Sequence, residues 1–346
     1  MKTKSIILLG FLFAGNITLY SQNYASMPVK EEFDAYNIGV TNRYKPCDVA
    51  ADSDYSVLGD GMAYVLDAYV TMYKTTKDKA YLYNFILQSL CMMDNRHDFD
   101  TSYPNNEPRW SWGKYIYQDG NIIGAMAYFT YFVRVEEPNL YYEGLYPFEK
   151  LSDNMWNQTF TTFGQYADWL CLRVSETLDW FNTHSYWGNS GYKRHPEKEP
   201  AEINQQAGMG RALLFIGKAF SNTSYLSKAI TILLLYKSTV SFYDACHVRS
   251  YDNPVFILNS SANAYWWYHS GWRVARECWN TESYEKYTEF LEDLSHGALT
   301  LSLVLDYYNC LGLFSTADMV RFRNTFTKLL YNGDGTFNNA VNGDDN

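Results

Sequence analysis

The sequence predicts an all-α fold, with helical hairpins in series that close into an (α/α) toroid. Three observations carry this expectation. Apolar residues recur at helical spacing through most of the chain, whereas period-2 alternation never persists. Pro and Gly fall in the connections rather than inside the periodic stretches. Two αα-hairpins also resemble each other: residues 58–73 with 79–93, and 208–220 with 224–242. They align at Tyr81-Leu82 and Tyr225-Leu226, a weak internal repeat.

Taken in order, the chain opens on an address. Lys2 and Lys4 precede an apolar run from Ile6 to Ala14, and Ser21 ends a plausible cleavage site, so residues 1–21 read as a signal peptide. The run is too short to span a membrane. No Cys follows it, so there is no lipid-anchor signal, and the mature protein is expected to be exported, periplasmic or extracellular. Residues 22–57 are polar and weakly periodic, and read as an N-terminal strap. The catalytic domain is expected over 58–346. After the first hairpin, residues 122–135 and 163–181 are strongly helical, and a Pro- and Tyr-rich connection over 138–151 separates them. The second hairpin follows, then a mixed aromatic stretch over 262–278.

The next helix is apolar nearly all round and runs to about Leu311. Leu294, Ala298, Leu301, Leu305 and Tyr308 mark one side, and Leu299, Leu303 and Val304 another. A helix of that kind is buried among other elements. Residues 316–331 make a last amphipathic helix with Asp318 in its first turn. The turn-rich end, 331–346, contains no helix. The expected toroid is therefore incomplete at the C-terminus, either because the chain is a shortened form or because its closing hairpins are missing.

Of the 346 residues, 47% are apolar, so a large core is expected and global disorder is excluded. Aromatic residues make up 18%, with 32 Tyr and 10 Trp, which suits both a sugar cleft and ordinary helix interfaces. A net charge of −10 argues against a nucleic-acid partner. It leaves an anionic substrate open, because a local patch of Arg and His outweighs the global sign. All six Cys lie beyond the signal segment, so disulfides are allowed. Cys91, Cys171 and Cys310 sit in apolar helical runs and read as core. No zinc-type spacing occurs, and no GxSxG, Walker loop or dinucleotide fingerprint is present. No cofactor or metal is expected.

Five stretches could carry chemistry. The first is Pro108-Arg109-Trp110-Ser111-Trp112-Gly113, where a loop Arg beside two Trp suits a sugar carboxylate with ring stacking; the alternative is a rim Trp cluster packed on a helix. The second, Asn182-Thr183-His184-Ser185-Tyr186-Trp187, offers a neutraliser, a base and an acid, or an ordinary helix exit. The third runs from Ile203 to Arg211, where Asn204 and Gln205 open a small-residue helix; Asn204 is either an N-cap or an amide facing the cleft. The fourth is Tyr265-Trp266-Trp267-Tyr268-His269. If it is extended, Trp266 and Tyr268 share a face; the alternative is aromatic core. The fifth is Glu292-Asp293-Leu294-Ser295-His296. If Asp293 caps that helix, His296 lies three residues in, at the positive end of the helix dipole. That position keeps a neutral imidazole available as a base or hydrogen-bond partner.

The order of these pieces resembles the secreted α/α-toroid polysaccharide lyases that cleave uronic-acid polymers such as alginate or glucuronan. The pieces are a Trp-rich loop, Asn-Gln opening a helix with Gly-x-x-Arg-Ala-Leu-Leu, Trp-x-Tyr, then Glu-Asp-x-Ser-His. The resemblance runs from about Leu58 to Tyr331 and rests on short motifs. The second stretch is similar to an Asn-His-Ser-Tyr-Trp segment of toroid alginate lyases, but Thr183 is inserted, so no roles transfer there. The resemblance implies β-elimination, in which a proton leaves C5 and O4 departs as an alcohol. A hydrogen-bond set neutralises the carboxylate, and a Tyr or His moves the proton. On this view Tyr268 is base or acid, His296 and Asn204 hold the carboxylate, and Arg109 orients the chain. Trp110, Trp112, Gln205, Trp266, His269 and Glu292 line the substrate site. The expected partner is an anionic polysaccharide or oligosaccharide. Asp60, Glu202, Glu292 and Asp293 keep a glycoside hydrolase open. A uronate C5-epimerase and a non-catalytic glycan-binding envelope protein are the other readings.

Overall fold

A computed structural model of the chain describes residues 30, 31, 33, 34, 37, 57–98, 106–111, 116–146, 159–188, 191–193, 201, 203–237, 242–244, 247–249, 255–267, 294–333, 336–338, 340 and 341. Within these the protein is mostly helical. A π-helical turn, Leu58–Met62, leads into α1 (Ala63–Thr76), and α2 (Ala80–Asp94) follows. Lys77 adopts a left-handed conformation, φ 58°, that ends α1 and starts the tight turn to α2. α3 (Ile116–Tyr131) passes into a second π-helical turn, Phe132–Glu136, and the short α4 (Pro138–Tyr141). The long α5 (Phe163–Thr183) is capped by Thr162, whose hydroxyl accepts from the Gln165 amide.

A small hairpin of β1 (Trp187–Gly188) and β2 (Gly191–Tyr192) leads to α6 (Ile203–Ala219) and α7 (Thr223–Lys237). Two more two-stranded antiparallel hairpins pair β3 (Phe242–Asp244) with β4 (His247–Arg249), and β5 (Ile257–Asn259) with β6 (Ala264–Trp266). α8 (Leu294–Leu311) and α9 (Thr316–Asn324) follow, and α9 runs into a π-helical turn, Thr325–Leu330. Ser315 and Asp318 close α9 with a reciprocal capping box.

Most expected helices are present, with three differences. α3 begins at Ile116, ahead of the expected 122, because its polar first turns are buried in the fold. Asn204 lies inside the first turn of α6 and is not its N-cap. The second hairpin ends at Lys237, and Phe242 begins a strand instead. The signal segment, 1–21, the greater part of the strap, and Tyr268, His269, Glu292, Asp293 and Trp112 lie outside the described residues.

Four helices form a row in which each packs on the next, α1 on α3, α3 on α6, and α6 on α8. They run in the same direction. Gly59 abuts Gln118 at the start of the first pair, and Lys74 reaches the Tyr128 hydroxyl near its end. In the second pair Gly120 abuts Met209, and further on Tyr128 packs against Phe215 with ring centroids 5.0 Å apart. In the third, Gly210 abuts Leu303 and Arg211 pairs with Asp306. α2, α5 and α7 pack against α1, α3 and α6 respectively.

Three glycines bring α3 and α6 together. A Cβ on Gly208 would overlap the Gly120 carbonyl group and the Asn121 amide nitrogen, and one on Gly124 would lie 2.9 Å from the Gly208 carbonyl oxygen. The backbones touch without intervening side chains.

Many tyrosines fill helix interfaces. Tyr69, Tyr166 and Tyr307 are fully buried. Their hydroxyls engage Asn37 Oδ1 (2.6 Å), Ser89 Oγ (2.6 Å) and Ala229 O (2.5 Å). Phe85 and Phe129 stack at 4.2 Å between α2 and α3. Cys171 and Cys310 are free thiols. Cys91 is completely buried, as expected of a core residue, and is also disulfide-bonded. Its partner lies outside the described residues, since Cys171 and Cys310 are both reduced.

Candidate functional site

Because the four helices of the row are parallel, their first turns lie at one end, and α3, α6 and α8 each carry polar residues there. Asn204 and Gln205 occupy the first turn of α6. Asn204 is buried and Gln205 partly so. His296 is the third residue of α8 and is exposed. Gly210 faces Leu303, and about two helical turns upstream of that contact the two helices present Ile203-Asn204 and His296 at the same end. Asn204, Gln205 and His296 therefore lie in first turns at the same end of the row.

The Arg109 loop reaches the same end through α3. Asp119, in the first turn of α3, is wholly buried and accepts from the Trp110 amide (2.7 Å) and the Ser111 hydroxyl. Burial pushes its carboxyl above the usual range, opposed by the Ser111 hydrogen bond. Trp110 is itself core: its indole N–H donates to the Met92 carbonyl at 2.6 Å and the ring is 1% exposed. A ring covered on both faces offers no sugar platform, so Trp110 acts as the anchor of the loop.

Arg109 Nε donates to Glu107 (2.7 Å), and its guanidinium lies over Trp180, 4.2 Å from the ring centroid. Trp180 in turn stacks on His184 at 4.3 Å and 16°. The His184 imidazole is exposed, with Nδ1 2.8 Å from the Trp180 carbonyl. Tyr186 packs beside this stack. Burial raises its phenol pKa, and nearby Arg109 pulls it back down. The Asn182 carbonyl oxygen accepts from the Tyr192 hydroxyl at 3.2 Å. Arg109, Trp180 and His184 therefore form one layered unit, and Trp180 was not singled out in the sequence. An aromatic residue four before a helix-terminal His is the signal that marks it.

Within the described residues, the aromatic stretch after the second hairpin is extended over β6. Trp266 is half-buried there, and Trp267 is fully buried against Phe256 and Phe322. The Tyr265 hydroxyl donates to Asp318 at 2.7 Å and accepts from Arg321 at 2.9 Å, tying the hairpin to α9.

A second polar group lies deeper. Arg211 of α6 bridges Asp67 of α1 and Asp306 of α8, each at 2.5 Å; Arg211 and Asp67 are buried and Asp306 is mostly so. Two carboxylates share one guanidinium, so the pair is undercompensated. Burial pushes the Asp306 carboxyl up to about 6 against the pull of Arg211. Arg211 ends the 203–211 stretch, but helical spacing in one segment does not reveal partners on two others.

Among the described residues no group of three His, Cys, Asp or Glu side chains is placed to hold a metal ion. No described helix is long and apolar enough to cross a membrane. The end of the row thus carries the exposed His296 and the half-buried Gln205, with Asn204 buried beneath them and the Arg109 guanidinium buried between Glu107 and Trp180. It can hydrogen-bond a polyhydroxylated or carboxylate-bearing molecule. No family model matches the chain, and comparison with curated proteins and with solved structures finds no match.

Proposed function

We propose that the chain is an exported carbohydrate-active enzyme built on an α/α toroid, and that it cleaves a uronic-acid polysaccharide of the alginate or glucuronan type by β-elimination. What supports this reading is that Asn204 and Gln205 lie in the first turn of α6 and His296 in the first turn of α8, at one end of a row of parallel helices, with the Arg109 loop fastened to the start of α3. The α1-α3-α6-α8 row, with α2, α5 and α7 behind it, is the arrangement a toroid repeats.

In the proposed reaction the C5 proton is acidified when the neighbouring carboxylate is neutralised. Amide N–H groups of Asn204 and Gln205 and the His296 imidazole are the groups for that task. A phenol or imidazole within hydrogen-bond reach then removes the proton, and a phenol returns one to O4 as the C4–O4 bond breaks. Tyr268 is the assigned acid–base residue in this scheme, and Arg109 orients the polymer. The test is incubation of the purified protein with alginate and glucuronan, following the ultraviolet absorbance of the new C4–C5 double bond. The expected result is a rise in absorbance that Tyr268→Phe and Asn204→Ala each reduce at least a hundredfold, an oxyanion-type loss of about 3 kcal/mol. New reducing ends without absorbance would replace elimination by hydrolysis. Binding with neither product would reduce the protein to a glycan receptor.

A further inference from the structure

Asn121 lies in the second turn of α3, two residues beyond Asp119, and so points away from the Arg109 loop. It is 4% exposed. Its Nδ2 donates to the Gly59 carbonyl at 3.3 Å, which fixes which end of the amide is the oxygen. Its backbone is pressed against Gly208 of α6. The side chain is thus held between the π-helical turn before α1 and the start of α6. Its Oδ1 is buried and has no hydrogen-bond partner among the described residues.

Across the seam, Gln205 Oε1 is a second buried carbonyl oxygen without a partner. It lies one turn before Met209, the residue that Gly120 abuts. Buried acceptors are normally matched, and two unmatched ones beside one helix seam at the polar end ask for a common explanation. Both are neutral acceptors and both need a donor. A carboxylate supplies none, whereas the hydroxyl groups of a sugar ring supply several.

We propose that Asn121 and Gln205 form a hydroxyl-recognition subsite, in which their carbonyl oxygens accept from ring hydroxyls of a bound sugar. This rests on the sugar reading above and deepens it. The acid group of the residue is held by Asn204, His296 and the Gln205 amide N–H, and the carbonyl oxygens of Asn121 and Gln205, beside the seam between α3 and α6, read its hydroxyls.

The test uses the full-length protein, Asn121→Leu and Gln205→Met. Each variant removes the acceptor at nearly constant volume, and Gln205→Met, on a partly exposed first turn, covers the case in which Asn121→Leu does not fold. Thermal upshift and binding are measured with alginate and glucuronan oligosaccharides, and with neutral gluco-, manno- and xylo-oligosaccharides. The expected result is a saturable upshift of the parent, with affinity at least tenfold weaker in each folded variant. The unliganded melting temperature of the variants is expected to equal or exceed that of the parent, because an unmatched acceptor is removed. Variants that fold and bind within twofold of the parent would overturn the proposal and assign the two oxygens to bound water. No upshift of the parent with any oligosaccharide would overturn it as well. If no uronate polymer is cleaved but a neutral oligosaccharide shifts the parent and not the variants, the lyase reading falls and the subsite stands.

Discussion

Asp306 shows how a single residue reports its surroundings. Its carboxylate shares Arg211 with Asp67 in a largely buried site. Its carboxyl is raised from 3.8 to about 6, mainly by burial. A raised acid is protonated more readily in the folded chain than in the unfolded one, so ionising it costs stability. The contribution is full below pH about 4 and is lost as pH rises through about 6. Asp306→Asn keeps an oxygen for Arg211 Nε and removes the titration. The expected outcome is that urea-unfolding free energies of the parent fall from pH 4 to 6.5 more than those of the variant. Parallel profiles would contradict the assignment. None of this was legible in the sequence, because three residues 144 and 95 positions apart along the chain meet only after the helices align.

At the scale of elements, the α3–α6 seam is the tightest contact in the row. Gly208→Ala would place a methyl group inside the Gly120 carbonyl. The helices would have to separate, so a loss of about 1–3 kcal/mol is expected, measured by denaturant unfolding. Helix positions were largely readable because amphipathic spacing survives in one dimension. α8 is the clearest case, with its end at Leu311 as read. The start of α3 was not, since Gln118, Asp119 and Asn121 are polar yet buried, and a periodicity argument treats polar residues as surface. The short β hairpins escaped for a related reason: three-residue strands are too brief to show alternation. Of the candidate site, the first-turn amides and His296 were legible as polar groups on apolar helices. Trp110 was legible as important but not as core, because its anchor, Asp119, follows nine positions later.

For the whole molecule, the disulfide at Cys91 is the covalent tie to a part of the chain outside α1–α9. Cross-linking removes conformations from the unfolded ensemble and is worth about 2–4 kcal/mol for a bridge of ordinary geometry. Reducing buffer is therefore expected to lower the unfolding free energy of the parent by about that amount, while Cys91→Ala should begin lower and respond less to reductant. An equal response in both would show that other bridges dominate.

The direct backbone contact at Gly208 makes the bases of α3 and α6 a single stiff body, and Asn121 and Asn204 sit on it together. If both residues hold a guest as proposed, two grips on one stiff base need no ordering when it arrives, so little entropy is spent on closing them. Selectivity at this seam would then come from how well a guest's hydroxyls match acceptors that are already in place. Loosening that base should weaken capture even where every contacting atom is retained.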